Sequence, residues 1–485
     1  MVQTQSTPTD QHNATNGPRC PGCRERDNII AQLRTRLKQA QSQLQTLEER
    51  AGRHCGNSSI PPSANPLDAP KSLPRKKPSG RKRGGQPDHP PANREMVPAE
   101  QLAEPPIACI PQTCEHCDAA LSGVDPLPLR HQVTELPPIK PEVREYQQHL
   151  VNCPHCGKST RGQLPDGVPQ GAFGPRLQAF IGLCTGCYHL SKRQTEELLT
   201  TALNVPISLG SICRVEQQIS AALAEPVAEA HEHLRQSDVA HADETSWKEQ
   251  PHKAWLWVGV TALVAVFLVR SKRDRASAHA LLGADYDGAL ISDRYGAYHG
   301  VKRRQACWAH LGRDWQAFVD RGGTSKRIGQ GLLDLTDQMF RDWHRWREGA
   351  MFRELFSNRM QSLRAQVAAL LRQGCHCAHA KTSGTCREIL AVEPTLWTFV
   401  DTAGVEPTNN AAERVLRQAV LWRKKCFGSR GPAGSRYVER ILTVVASCRL
   451  QGRNVLEYLT AACRAALKHG PIPSLIPDNM DTVSA

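Results

Sequence analysis

The sequence predicts a multidomain α/β protein: a mixed sheet carrying a long helical insertion, preceded by a coiled coil, a four-cysteine module and two short helices. Three observations predict it. Apolar residues follow one another at steps of three and four between Ile30 and Ala51. Two Cys-x-x-Cys pairs, Cys114/Cys117 and Cys153/Cys156, are separated by 35 residues. Between Val239 and Asp293, short runs of strand character flank one amphipathic helical stretch.

Composition narrows the class. The 485 residues suffice for three or four domains. Lys and Arg number 61 against 47 Asp and Glu, and the net charge of +14 points to a polyanionic partner, nucleic acid first. A hydrophobic content of 40% excludes a fully disordered chain and gives no sign of a multi-span membrane protein. The apolar run Ala254 to Val269 has 16 residues, short of the roughly 20 that a spanning helix needs. It is rich in Val and Trp with a weak break at Thr261-Ala262, so it reads as two adjacent buried strands. Met1 to Asp10 is polar and has no leader pattern. The 18 cysteines are therefore expected as thiols and metal ligands in a reducing cytoplasm, not as disulfides.

Residues 1–56 are read as an N-terminal helix. Ile30, Leu33, Leu37, Ala40, Leu44, Leu47 and Ala51 form an a/d seam with polar residues elsewhere. Three heptads suit a marginal coiled coil and self-association, and a helix docked on the body of its own chain gives the same pattern. Cys20 and Cys23 have no second pair close by, and no metal is assigned to them. Residues 57–108 are a linker. Thirteen of the 34 prolines fall between Ile60 and Pro111, which excludes regular helix and central strand. Within it, Lys71 to Arg83 holds seven basic residues and no acidic one, among them Lys76, Lys77, Arg81, Lys82 and Arg83. Such a run suits phosphate contact without sequence readout, and equally a solvated tether.

Residues 109–165 hold the paired cysteines. A Cys-x-x-Cys turn sets two thiolates on one edge of a tetrahedron, and two such turns complete a four-thiolate structural zinc site. Cys114, Cys117, Cys153 and Cys156 are the expected ligands, and alternation from Val143 to Val151 predicts strands that bring them together. Cys184 and Cys187 are expected as core thiols. In the cluster Cys375, Cys377, His379 and Cys386, adjacent ligands are geometrically awkward, and no metal is assigned.

Residues 170–235 are helical. Ser191 to Leu203 forms one helix, Asn204 to Ile207 breaks it, and Ser208 caps a second with Ile212, Val215 and Ile219 on one face. Two helices across a tight turn suit docking in a DNA major groove, and an ordinary helical bundle fits the pattern as well.

Residues 236–430 are the most informative. The tract VAHADET places Val239, His241 and Asp243 on one side of a strand. Strands Lys253 to Val260 and Val264 to Val269 follow, then a helix from Arg275 to Leu282, then a strand from Gly288 to Ser292 that ends at Asp293. This order opens a ribonuclease-H-like sheet, in which the first and fourth strands are neighbours and Asp243 meets Asp293. Two carboxylates that close repel unless a cation sits between them. Mg²⁺ or Mn²⁺ suits such hard oxygen donors, and two ions about 3.5–4 Å apart serve phosphoryl transfer. Glu413 is the candidate third acid, on a helix whose apolar face is Ala412, Val415, Leu416, Ala419 and Val420. Arg414, Arg417, Arg423, Lys424 and Lys425 give that helix the charge expected beside DNA phosphates. Each acid also has a local reading: Asp243 as a turn cap, Asp293 as the start of Asp-Arg-Tyr-Gly, and Glu413 as half of an Asn410-x-x-Glu413 capping box.

HADETSWK with AWLWV, SDRYGAYHG with CWAHLGRDW, and GVEPTNNAAERVLRQAV with RKKCFGS together resemble the transposases of the insertion sequence 66 family. The helical seam, NSSIPPS, GGQPDHPP, the paired Cys-x-x-Cys module and SCRLQGRNVLEYL extend the resemblance over nearly the whole chain. It implies a DDE-type enzyme with Asp243, Asp293 and Glu413 as its acids, a helical insertion at about 313–403 and C-terminal helices over 431–485. It also implies metal-dependent cleavage at transposon ends and strand transfer into target DNA, by a homo-oligomer in the bacterial nucleoid with companion proteins as further partners. Trp308, His310 and Arg313 are candidate DNA contacts, with core packing the rival for Trp308. The alternative is a non-catalytic, domesticated zinc-containing DNA-binding protein; a third reading is a nuclease on the same sheet.

Overall fold

The computed structural model describes residues 20–58 and 95–477. Lys76, Lys77, Arg81, Lys82 and Arg83 lie outside the described residues. The chain divides into two compact units, Met1–Arg75 with Ala309–Ala391, and Lys76–Trp308 with Val392–Ala485. No helix among the described residues is long and apolar enough to cross a membrane.

Helix α1 (Pro21–Ala51) belongs to the first unit. Its seam is uncovered: Ile30, Leu33, Leu37, Leu44 and Leu47 are 45–61% exposed. Only its end docks. Glu49 pairs with Lys381 and with His379 Nε2 at 3.5 Å, and beyond the helix Asn57 Nδ2 donates to Asp320 Oδ2 at 2.8 Å.

The second unit begins with the cysteine module. The expected strands reduce to one short hairpin, β1 (Leu150–Asn152) with β2 (Ser159–Arg161), because the alternating residues before it remain exposed and unpaired in any sheet. Helix α2 (Pro175–Gly182) runs into a wide turn, Leu183–Cys187, in which Cys184 and Cys187 are buried as expected. Gly186 is required there, since a Cβ would lie 2.2 Å from Ile441. Helix α3 (Lys192–Ala202) starts at a complete capping box, Ser191 with Gln194, and α4 (Leu209–Ala222) starts at the Ser208 hydroxyl. Asn204 sits between them at φ 54°. Ile212, Val215 and Ile219 of α4 are buried, while Arg214, Gln217 and Gln218 face solvent. Helix α5 (Ala224–Gln236) then leads to the sheet.

Strands β3 (Val239–Glu249), β4 (His252–Val260), β5 (Ala265–Arg270), β6 (Ala289–Ser292) and β7 (Arg303–Ala306) stand in the order β5-β4-β3-β6-β7. β3, β4 and β5 pair antiparallel, whereas β6 pairs parallel to both β3 and β7. The run Ala254 to Val269 is thus two strands, and the first and fourth strands of the sheet are neighbours, as the sequence predicts. Helix α6 (Arg275–Leu282), capped by Asp274, makes the crossover from β5 to β6.

The chain leaves the sheet at α7 (Trp308–Asp320) and continues through α8 (Gly323–Arg347), α9 (Arg353–Cys375) and α10 (Ala380–Ala391) of the first unit. Asp342 is buried between α8 and α9 and accepts from Arg359 Nη1 at 2.6 Å. On returning, the chain passes the short α11 (Thr398–Asp401) and is tied to its point of departure. Trp308 Nε1 donates to Leu396 O at 2.8 Å, Trp308 N to Pro407 O at 2.9 Å, and Phe399 N to the buried Gln305 Oε1 at 2.9 Å.

Helices α12 (Asn410–Cys426), α13 (Gly431–Leu450) and α14 (Val455–Leu467) complete the second unit. α13 covers an exposed edge. The N–H groups of Ala265, Phe267 and Val269 on β5 donate to Ser447 Oγ at 3.0 Å, Thr443 Oγ1 at 3.0 Å and a Glu439 carboxylate oxygen at 2.6 Å. Four helical residues advance about 6 Å and two strand residues about 6.6 Å, so one helix face matches alternate strand amides. Side chains thus satisfy an edge that would otherwise invite another strand.

Candidate active site

Register brings the first two acids together. β3 and β6 pair with a constant offset, Val239 opposite Ala289 and His241 opposite Ile291. The pairing ends there, and β6 ends at Ser292; the same offset carried two residues further would set Asp243 level with Asp293. Parallel neighbours at one level present their side chains to one face, and the charge of Asp293 acts on Asp243 across the α6 crossover.

The third acid is delivered by a latch. Asn409, fully buried, donates from Nδ2 to Ala242 O at 2.8 Å and bonds His241 Nδ1 through Oδ1 at 3.2 Å. Its own N–H donates to Cys307 Sγ at 3.2 Å, and Cys307 N donates to Ser292 O at 2.9 Å. The residues just before α12 are thereby fixed to β3 and to the ends of β6 and β7. Burial of Ala412, Leu416, Ala419 and Trp422 sets the rotation of α12, and Glu413 falls in its first turn, within 4.8 Å of Cys307 Sγ. The helix begins without a side-chain cap, and Asn410 is its first residue, so the capping-box reading of Asn410 and Glu413 does not describe this helix start.

The electrostatics register neighbouring negative charge, although the acids are not gathered: no group of three or more ligand atoms within 4.8 Å of one another among the described residues contains Asp243, Asp293 and Glu413 together. Burial first, then the charges of Glu244 and Asp293, and further Glu413, push Asp243 well above the ordinary carboxylate range, against the Glu244 N–H that bonds it at 2.8 Å. Asp293 Oδ1 accepts from Tyr295 N at 2.9 Å, so its local turn exists, while Oδ2 lies 3.9 Å from Arg273 Nη2. Burial holds His241 down at about 4, opposed by Asn409 and aided by Arg414, so it is neutral at pH 7. A carboxyl held back from ionising by burial and by three other acids is a hard oxygen donor in surroundings short of positive charge, a chemistry that suits a divalent cation.

The predicted cations divide. Arg414, Arg417, Lys424 and Lys425 are exposed on α12. Arg423 is half-buried and committed to β3, donating to Thr245 Oγ1 at 3.0 Å and to Ser246 O. Trp308 is a core residue, 1% exposed. Sequence reasoning missed Asn409, Glu244, Arg273 and Tyr298. The signals were available only in part: Glu244 adjoins Asp243, and Arg273 sits in the basic tract Arg270 to Arg275.

Each cysteine pair forms the same turn. Cys114 N donates to Ala119 O and Asp118 N to Cys114 O; Cys153 N donates to Lys158 O and Gly157 N to Cys153 O. Asp118 and Gly157 take φ 56° and 68° at equivalent places. Backbone N–H groups, of His116 first at Cys114 and of Cys156 first at Cys153, draw both leading thiols below the usual thiol range, aided by the second cysteine of each pair. The four sulfurs are not gathered: no group of three or more ligand atoms within 4.8 Å of one another among the described residues includes them.

Comparison with known families sets the class. Residues 170–437, which hold the sheet, the three acids and the insertion, match the model of a transposase. That span exceeds half of the chain, which belongs to the Transposase IS66 family. Residues 15–95 match a second model, described as a family of unknown function (DUF6444). No curated protein matches the chain.

Proposed function

We propose that the chain is a DDE-type transposase that cuts DNA strands at transposon ends and joins the freed 3′-hydroxyl to target DNA, on a ribonuclease-H-like sheet. The observation that supports this reading most is the parallel pairing of β3 with β6, whose ends lead to Asp243 and Asp293, together with the charges of Asp293 and Glu413 acting on buried Asp243. Asp243, Asp293 and Glu413 are the residues to hold two Mg²⁺ or Mn²⁺ ions. When bound, such a pair supplies activation of the attacking oxygen and stabilisation of the leaving one. The protein's part is to fix three carboxylates before the metal arrives and to position phosphates with Arg414, Arg417, Lys424 and Lys425, aided by the linker cations and the outer face of α4. The two matched cysteine turns each offer two thiolates to a structural zinc. The open seam of α1 suits pairing with a second copy, which a reaction on two ends requires.

The test is strand transfer with pre-cut end DNA and Mg²⁺. Joined products are expected from the wild type and are lost in Asp243→Asn, Asp293→Asn and Glu413→Gln, with DNA binding retained. Unchanged joining in any of the three variants refutes the assignment of that acid. Binding without any metal-dependent product from the wild type favours the non-catalytic alternative, and cutting without joining favours a nuclease.

A further inference from the structure

Glu244 follows Asp243 in the chain yet is committed elsewhere. Its side chain is fully buried, Arg273 Nε donates to Oε1 at 2.7 Å with Nη2 2.5 Å away, and the Tyr298 hydroxyl donates to Oε2. Both oxygens are taken. The pair is lopsided, because the Arg273 side chain is 34% exposed. Its guanidinium carbon lies 3.8 Å from the ring centre of Tyr295 and 5.2 Å from that of Trp255, and the Tyr295 hydroxyl bonds back to Arg273 O. Nη2 is 3.9 Å from Asp293 Oδ2. Nη1 makes no hydrogen bond to another described residue.

We propose that Arg273 is a DNA-contacting residue whose outer edge binds the phosphate next to the one attacked, held in place by Glu244, Tyr298 and Tyr295. This rests on the phosphoryl-transfer reading above. A counter-ion for Glu244 alone needs neither two aromatic faces nor an open edge. A planar fork locked in orientation at the margin of an anionic site is the arrangement that recognises a phosphate oxygen. The charges lead to the same place. Divalent ions, if held by Asp293, would repel a guanidinium 3.9 Å from that carboxylate, and an anion between them would relieve the repulsion. A phosphodiester threaded past the acids supplies that anion. Glu244 is then a positioning residue that acts through Arg273.

The experiment is equilibrium binding of the full chain to duplex carrying the terminal repeat that borders its own element, read by fluorescence anisotropy with Ca²⁺ in place of Mg²⁺. One methylphosphonate, which removes a single phosphate charge, is stepped through the positions around the cleavage point. Wild type is expected to lose roughly tenfold at one flanking position, the scale of one charge-assisted contact. Arg273→Gln loses a similar factor on unmodified DNA and nothing more at that position. The pair Glu244→Gln with Arg273→Gln leaves no unpaired buried charge and is expected to show the same insensitivity, which guards against a misfolded single variant. An interference pattern identical to wild type in both variants overturns the proposal, as does a wild type insensitive at every flanking phosphate. Joining with Mg²⁺ is measured separately on the wild type: its failure with the interference pattern present bears on the phosphoryl-transfer reading and not on Arg273.

Discussion

Thr443→Val isolates the bond by which α13 covers the edge of the sheet. Thr443 is fully buried, and its hydroxyl accepts the Phe267 N–H at 3.0 Å. Valine keeps the branched shape, so packing changes little, but the amide of Phe267 is left buried without an acceptor. Leaving such a donor unsatisfied costs about 1–3 kcal/mol. The neighbouring bonds to Ser447 and Glu439 remain, so the effect is local. Hydrogen exchange of the Phe267 amide, followed by mass spectrometry on short peptides, should speed by roughly fivefold to 150-fold, the same energy expressed as an opening constant. The amides of Val266 and Leu268, which belong to the alternate set along the strand, should change far less. Exchange at Phe267 unaltered within twofold would show that the helix contributes packing alone and that the matching of helical and strand spacing is incidental.

The remaining predictions address charge, metal and assembly. Burial first, then Lys425 and Arg449, hold His189 down at about 4 where it stacks on Trp422. The unfolded chain, with an ordinary histidine near 6.5, takes up the proton first, so stability is lost as pH falls from about 6.5 toward 4. His189→Asn, which tolerates the positive φ at this position, should flatten that part of a urea-midpoint profile, and an unaltered slope would exclude His189 as its source. Full-length protein should contain zinc in proportion to chain and lose it on Cys114→Ser or Cys153→Ser. Metal content by mass spectrometry checks this, and equal zinc in both variants rejects the shared site. Leu37→Glu with Leu44→Glu should lower the sedimentation mass while leaving the fold of the second unit intact; an unchanged mass excludes the α1 seam as the contact between copies.

How far the sequence could be read depended on the range of the interaction. Local signals were legible: Ser191 and Ser208 mark helix starts, and Arg275 to Leu282 forms the helix that its periodicity predicts. The pairing of the first strand with the fourth was legible because the order of strands and the intervening helix suffice to make β3 and β6 neighbours. What acts across distance was not. Asn409 joins residues 167 positions away, and nothing in a tract of Asn and Thr says which of its amides faces a strand. Glu244 and Arg273 drew no reading, since sequence cannot show that one is buried against Tyr298 and that the other lies over the rings of Tyr295 and Trp255. The reach of Val143 to Val151 was overestimated because alternation predicts a strand only where a partner strand is at hand.

The clasp that joins Trp308 to Leu396 and Pro407 has a consequence for how this enzyme family can vary. Asp293 and Glu413 are 120 residues apart in sequence, yet the sheet experiences the intervening chain as a loop closed at its neck. Loop-closure entropy grows only with the logarithm of length, roughly 0.6 kcal/mol per doubling. Material can therefore be added to or trimmed from the far side of that neck, and new binding surfaces acquired there, with little disturbance of the spacing between the acids.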